Sequence, residues 1–186
     1  MTARDAAVQV EVPVWNLGVR LLHWTLAASM IASFATHEGG GRVHEWTGYL
    51  ALAAAGTRVL LGLVGSGYWR FARFVRGVRT TMAYLRAVLG RREPRHLGHN
   101  PLGAWMVLAL LANAIAAGLS GWLYTTDRFW GMAWLETTHS VFGNALLPLL
   151  ALHVAGVIFT SVRHHENLAA AMLHGRKRAP GPQDVC

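Results

Sequence analysis

Four apolar stretches, near residues 17–36, 44–64, 102–124 and 139–161, constrain this chain more than anything else in it. Each is long enough to cross a hydrocarbon core of ~30 Å, which takes about 20 residues of helix. A backbone in lipid must satisfy its own hydrogen bonds, and a helix does so within a single segment. The expected fold is therefore all-α: an integral membrane four-helix bundle forming one domain over residues 1–186.

Charge is sorted as membrane topology sorts it. The net charge of +8 does not point to nucleic acid, because the basic residues fall in a few stretches between the apolar runs. Between segments two and three lie Arg70, Arg73, Arg76, Arg79, Arg86, Arg91, Arg92 and Arg95, against Glu93 alone. After segment four come Arg163, Arg176, Lys177 and Arg178. The other two connections are near neutral, holding Glu38, Arg42 and Glu45, then Asp127, Arg128 and Glu136. The positive-inside rule puts the basic loop and the tail in the cytoplasm, with both termini inside. The first sixteen residues carry Arg4, Asp5 and Glu11 and no apolar core, so segment one is expected to stay as an anchor and not as a cleaved signal. Residues 80–90 are too short to span and read as an amphipathic helix at the membrane surface. Trp15, Trp69, Trp105, Trp122, Tyr124, Trp130 and Trp134 fall near segment ends, as interfacial aromatic belts do. Gly39–Gly41 and Gly65-Ser66-Gly67 read as turns.

Four histidines lie at matched depths in these segments. His23 stands toward the inner side of segment one, and His44 opens segment two on the outer side. His139 and His153 are fourteen residues apart on segment four, sharing a face about 21 Å apart along the axis. Depth alone pairs His23 with His153 and His44 with His139. Imidazole in hydrocarbon is unfavourable without a partner, and neutral imidazole is a good iron ligand. Two such pairs at two levels suit two stacked haems. Gly48 and Gly143 each follow a histidine by four residues, on the same helix face, which leaves room for a porphyrin plane; Gly156 follows His153 by three. The single cysteine is Cys186, so no CxxCH attachment exists and any haem is held non-covalently. His37, His96, His99, His164, His165 and His174 fall in loops or tails and read as solvated. Arg58 and Arg20 lie near the inner end, where each either pairs with a haem propionate or snorkels to the interface.

Several short motifs then converge. Arg20-Leu21-Leu22-His23-Trp24, His44-Glu45-Trp46-Thr47-Gly48-Tyr49, Leu97-Gly98-His99-Asn100-Pro101 and Arg163-His164-His165-Glu166-Asn167-Leu168, with Met172 and Gly175 beyond, occur in order. Over residues 14–178 the chain resembles the bacterial di-haem cytochrome b561 family, which includes the cytochrome b subunits of membrane nickel–iron hydrogenases. The resemblance implies two b haems, each with two histidine ligands: one on His23 and His153, the other on His44 and His139. It implies a bacterial inner-membrane electron carrier more than a stand-alone enzyme, working between a quinone in the bilayer and a periplasmic cytochrome or redox enzyme. One alternative is superoxide oxidation at the outer face with quinone as acceptor, which the slightly acidic outer loops disfavour. Another is a histidine-lined channel or transporter, which the absence of inverted repeats disfavours. His99 and Asn100 are candidate quinone contacts, although Asn100 before Pro101 also reads as a simple helix cap.

Overall fold

The computed structural model describes residues 10–39 and 41–185; Arg4, Asp5, Gly40 and Cys186, on which parts of the sequence reading rest, lie outside the described residues. Four long helices carry the chain: α1 (Leu17–Ala35), α2 (Arg42–Val64), α5 (Pro101–Tyr124) and α6 (Ala133–His164). All four are long and apolar enough to cross a membrane. Three short helices and two strands complete the fold: α3 (Phe71–Phe74), α4 (Val78–Leu89), α7 (Leu168–His174), β1 (Glu11–Pro13) and β2 (Arg176–Arg178). The surface helix expected at 80–90 is α4.

Asparagine starts three of these helices. The side chains of Asn16, Asn100 and Asn167 accept from the backbone N–H of Val19, Gly103 and Ala170 at 3.0, 2.7 and 2.9 Å. Each satisfies a donor that the first helical turn leaves unpaired. For Asn100, with Pro101 as the first helical residue, the cap reading is the observed one. Helix α6 departs most from expectation. It has 32 residues and begins six before His139, making it about 48 Å long. Glu136 sits in its first turn, where a carboxylate favours the helix dipole. Its first turns therefore extend beyond a ~30 Å core.

The main helix packing runs α1 with α2, α2 with α5 and α5 with α6. Helices α1 and α6 are thus the outer members of a bent row, facing each other across its opening. Ala55, Leu111 and Ala114 form the centre of the row, with Leu26, Met30 and Val59 against them. Small residues at that centre let the backbones approach closely. Gly118 is one such contact, for a Cβ there would meet Leu52 at 2.9 Å. Asn113 ties α5 to α6 by donating to the Phe142 carbonyl at 3.0 Å.

One end of the bundle is closed by a polar cap. Strand β1 pairs antiparallel with β2, with Val12 opposite Lys177. Arg95 is buried and donates to Glu166 at 2.6 Å and to Asp184 at 2.5 Å; Lys177, also buried, reaches Glu166 at 3.0 Å. Arg163 pairs with Glu93 at 2.7 Å. Beneath this network Val14, Trp15, Val19, Leu97 and Ala171 form a second apolar cluster. Two expectations change here. Trp15 is a core residue at 7 % exposure, not part of an aromatic belt. Arg95 and Lys177, counted in the sequence as topology-setting surface charges, are interior ion-pair partners. By contrast Trp105, Trp122, Trp130 and Trp134 remain exposed near helix ends, as a belt requires.

Candidate cofactor site

The bundle brings the four histidines together as two pairs. His23 on α1 faces His153 on α6, with ring centroids 6.4 Å apart and planes 50° apart. His44 on α2 faces His139 on α6, at 5.7 Å and 90°. The two levels lie about 21 Å apart along α6. The His23–His153 pair is toward the capped end and the His44–His139 pair toward the open end.

At the open-end pair, the backbone fixes the tautomer. Nδ1 of His44 lies 2.8 Å from the Ser33 carbonyl, and Nδ1 of His139 lies 2.9 Å from the Ala117 carbonyl. A carbonyl only accepts, so each Nδ1 must carry the proton and donate it. The proton on Nδ1 leaves each Nε2 with a free lone pair. Orienting an imidazole through its second nitrogen is the usual support of a metal-ligating histidine. The Ser33 and Ser120 hydroxyls lie beside the same Nδ1 atoms at 3.4 and 3.5 Å. Gly121 leaves space for the His139 ring: a Cβ there would stand 2.8 Å from Cε1. Sequence reasoning missed Ser33, Ala117, Ser120 and Gly121. The only signal was the clustering of small residues at Gly118, Ser120 and Gly121, around Leu119.

These residues fit two haems. Ring separations of 6.4 and 5.7 Å leave room for a metal to be held between the two imidazoles of each pair. Gly143 and Gly156 have no atom within 4 Å of where a Cβ would stand, and Gly48 meets only the Ser33 hydroxyl, at 3.8 Å. Bare backbone beside these histidines is what a flat macrocycle would need for close approach.

The capped-end pair is supported differently. Among the described residues no hydrogen bond to the ring of His23 or His153 is found, and Trp24 meets His23 edge-on at 5.1 Å. Arg20 and Trp24 flank His23 and anchor α7. Arg20 donates to the Leu173 carbonyl and the Trp24 indole N–H to the Met172 carbonyl. Both carbonyls lie in the last turn of α7, where they lack helical donors. The Nε of Arg20 is buried without a partner. Arg58 does not snorkel. It is buried, donates to the Trp69 carbonyl at 3.1 Å and lies over the Phe71 ring at 4.8 Å.

His99 corrects the reading of a solvated loop residue. Its ring is held between Trp15 and Phe74, at 4.9 and 4.6 Å, and its Nδ1 is buried without a partner among the described residues. Burial, and next the nearby charge of Arg58, push its pKa down to about 3. It is therefore a neutral imidazole. His96, expected to be solvated, packs edge-on against Tyr84 at 5.3 Å.

A family model described as prokaryotic cytochrome b561 matches residues 14–175. Comparison with curated proteins gave no match, and neither did comparison with solved structures.

Proposed function

The chain belongs to the prokaryotic cytochrome b561 family, whose members are transmembrane b-type cytochromes of electron transfer, and we propose that this one carries electrons across the bilayer on two b haems. The proposed ligands are His23 with His153 and His44 with His139. The observation that carries this reading is the facing of the two ring pairs, with both open-end Nδ1 atoms committed to carbonyls. A haem held there would supply one-electron redox chemistry, and two imidazoles from this chain on each would favour electron transfer over oxygen binding.

The protein's part is to hold and to insulate. Helix α6 presents both of its histidines on one continuous element, with Pro148 between them, and this sets the spacing between levels. The carbonyls of Ser33 and Ala117 keep the open-end rings in the ligating tautomer. Arg20 Nε and the Arg58 guanidinium place positive charge at the capped end, where we assign them to propionate carboxylates. Lipid and apolar side chains exclude water along the spans.

Electrons enter and leave at the two ends. We place the capped end in the cytoplasm, because the arginine-rich connection and tail gather there. The proposed membrane partner is a quinone, which exchanges two electrons and two protons per reaction. His99, neutral and with an unpaired nitrogen, is the residue we assign to its oxygen. The partner at the open end is a periplasmic cytochrome or redox enzyme.

The deciding experiment is a reduced-minus-oxidised visible spectrum with haem quantified per polypeptide. Two b haems per chain are expected; one or none overturns the four-ligand assignment. Reduction by a quinol then tests the partner. His99→Leu should slow that reduction at least tenfold with haem content unchanged, and an unaltered rate removes His99 from the quinone site.

A further inference from the structure

We propose that helix α4 and its flanking loops form a binding site for anionic phospholipid headgroups. This inference rests on α4 and its surroundings and is independent of the electron-transfer reading. One face of α4 is buried at Thr81 and Tyr84, where the Trp105 indole donates to the Thr81 hydroxyl at 3.1 Å and ties the helix to α5. The adjacent strip, Val78, Met82 and Leu89, is apolar and exposed at 64, 41 and 77 %. These residues recur at intervals of four and seven, so they line one stripe of the helix. Arg79 and Arg86, seven apart, flank that stripe on the side away from α5. An apolar stripe bordered by a basic row is the arrangement of a helix lying in the membrane interface, acyl chains under the stripe and headgroups at the charges.

The charge is left uncompensated by the cap itself. Four acidic side chains are described at this end. Glu93 is taken by Arg163, and Glu166 and Asp184 by Arg95 and Lys177. Glu11 remains, in β1 opposite Arg178. Arg70, Arg73, Arg76, Arg79, Arg86, Arg91 and Arg92 are all exposed, and none forms an ion pair among the described residues. Seven exposed guanidiniums on α4 and the segments flanking it, two of them beside the apolar stripe, suit phosphodiester groups, which accept their forked donors. An acidic protein would match the charge and leave the stripe between α5 and the arginines unexplained. Anionic lipid accounts for both.

The test uses the purified holoprotein in neutral detergent. Native mass spectrometry would count retained lipid after addition of phosphatidylglycerol or phosphatidylcholine, and a thermal-shift assay would follow stability. Phosphatidylglycerol should bind preferentially and raise the melting temperature, with the preference weakening in high salt. Arg79→Gln/Arg86→Gln should reduce the preference roughly thirtyfold and leave haem content unchanged. Arg42→Gln/Arg128→Gln, at the opposite end, should not alter it. Equal binding of the two lipids, or a preference surviving loss of Arg79 and Arg86, overturns the proposal. So does displacement of phosphatidylglycerol by a soluble acidic polypeptide, which would make the arginines a protein interface.

Discussion

The imidazole of His139 lies against the bare backbone of Gly121, where a Cβ would come within 2.8 Å of Cε1 and 3.0 Å of Nδ1. One turn earlier on the same helix, the Ala117 carbonyl takes the Nδ1 proton. Helix α5 thus both makes room for the ring and orients it. Gly121→Ala should push the ring off that carbonyl, with overpacking of about 1–3 kcal/mol. The haem proposed at the open end should be lost or shift in potential while the one proposed at the capped end stays put. A redox titration resolving the two components checks this. If both components shift alike, the contact is not specific to one level.

Under the proposed pairing of His23 with His153 and His44 with His139, single and double substitutions behave differently. His23→Ala and His153→Ala should each remove the same half of the haem absorbance, and combining them should remove no more. His23→Ala with His44→Ala should remove it all. Haem quantified per polypeptide reads both outcomes. Additive loss in the first double variant would mean those two histidines serve different haems.

Much of this was legible in the chain because hydropathy and helical spacing are local. The four spans, the surface helix and the depth of each histidine follow from runs and intervals. The start of α6 was not legible, because Trp134, Glu136 and Thr137 suit an aqueous helix and a loop equally well. The supports of His44 and His139 escaped for another reason. They are backbone carbonyls, and every residue has one. His99 looked solvated because its neighbours Trp15 and Phe74 are distant in sequence and meet only when the cap closes. Arg95 and Lys177 carry the same charge as their exposed neighbours, and only the fold shows which are buried.

Arg95 holds the cap through two carboxylates and the Arg178 carbonyl. Arg95→Met would leave the half-buried Glu166 and Asp184 without that partner. Breaking a buried pair from one side costs about 3–5 kcal/mol. The segment from 176 to 185 should then become sensitive to protease at neutral pH, and the four spans should remain intact. Cleavage at the wild-type rate would show that the pairs are not what closes the cap.

Acid should open the same cap. The pKa of His99 is pushed down to about 3 by burial and the charge of Arg58, whereas an unfolded histidine takes a proton near ~6.5. The unfolded segment therefore binds more protons below that value, and stability falls as pH drops from ~6.5 toward 3. The carboxylates act in the same direction. Glu93 is held down first by its hydrogen bond from Arg163; at Glu166 and Asp184 burial pushes upward but is outweighed, mainly by hydrogen bonds from Arg95 to Glu166 and from the Gly181 backbone to Asp184. Their contribution is present above the unfolded value of ~4 and is lost as pH falls through the folded one. Protection against hydrogen exchange over residues 93–99 and 163–185, corrected for the intrinsic rate at each pH, should fall between pH 7 and 4. Unchanged protection across that range would contradict the buried neutral state of His99.

The pairing of β1 with β2 has a bearing on biogenesis. One strand precedes the first span and the other follows the last, so their register cannot form until the fourth helix has been synthesised and the tail released from the ribosome. Glu93 and Arg95, made midway, likewise wait for Arg163, Glu166 and Asp184. Closure of this end therefore reports that the chain has been made through Asp184. A chain stalled or truncated before residue 176 keeps its spans and lacks the latch, leaving Arg95 without Asp184 and the cap open to quality-control proteases.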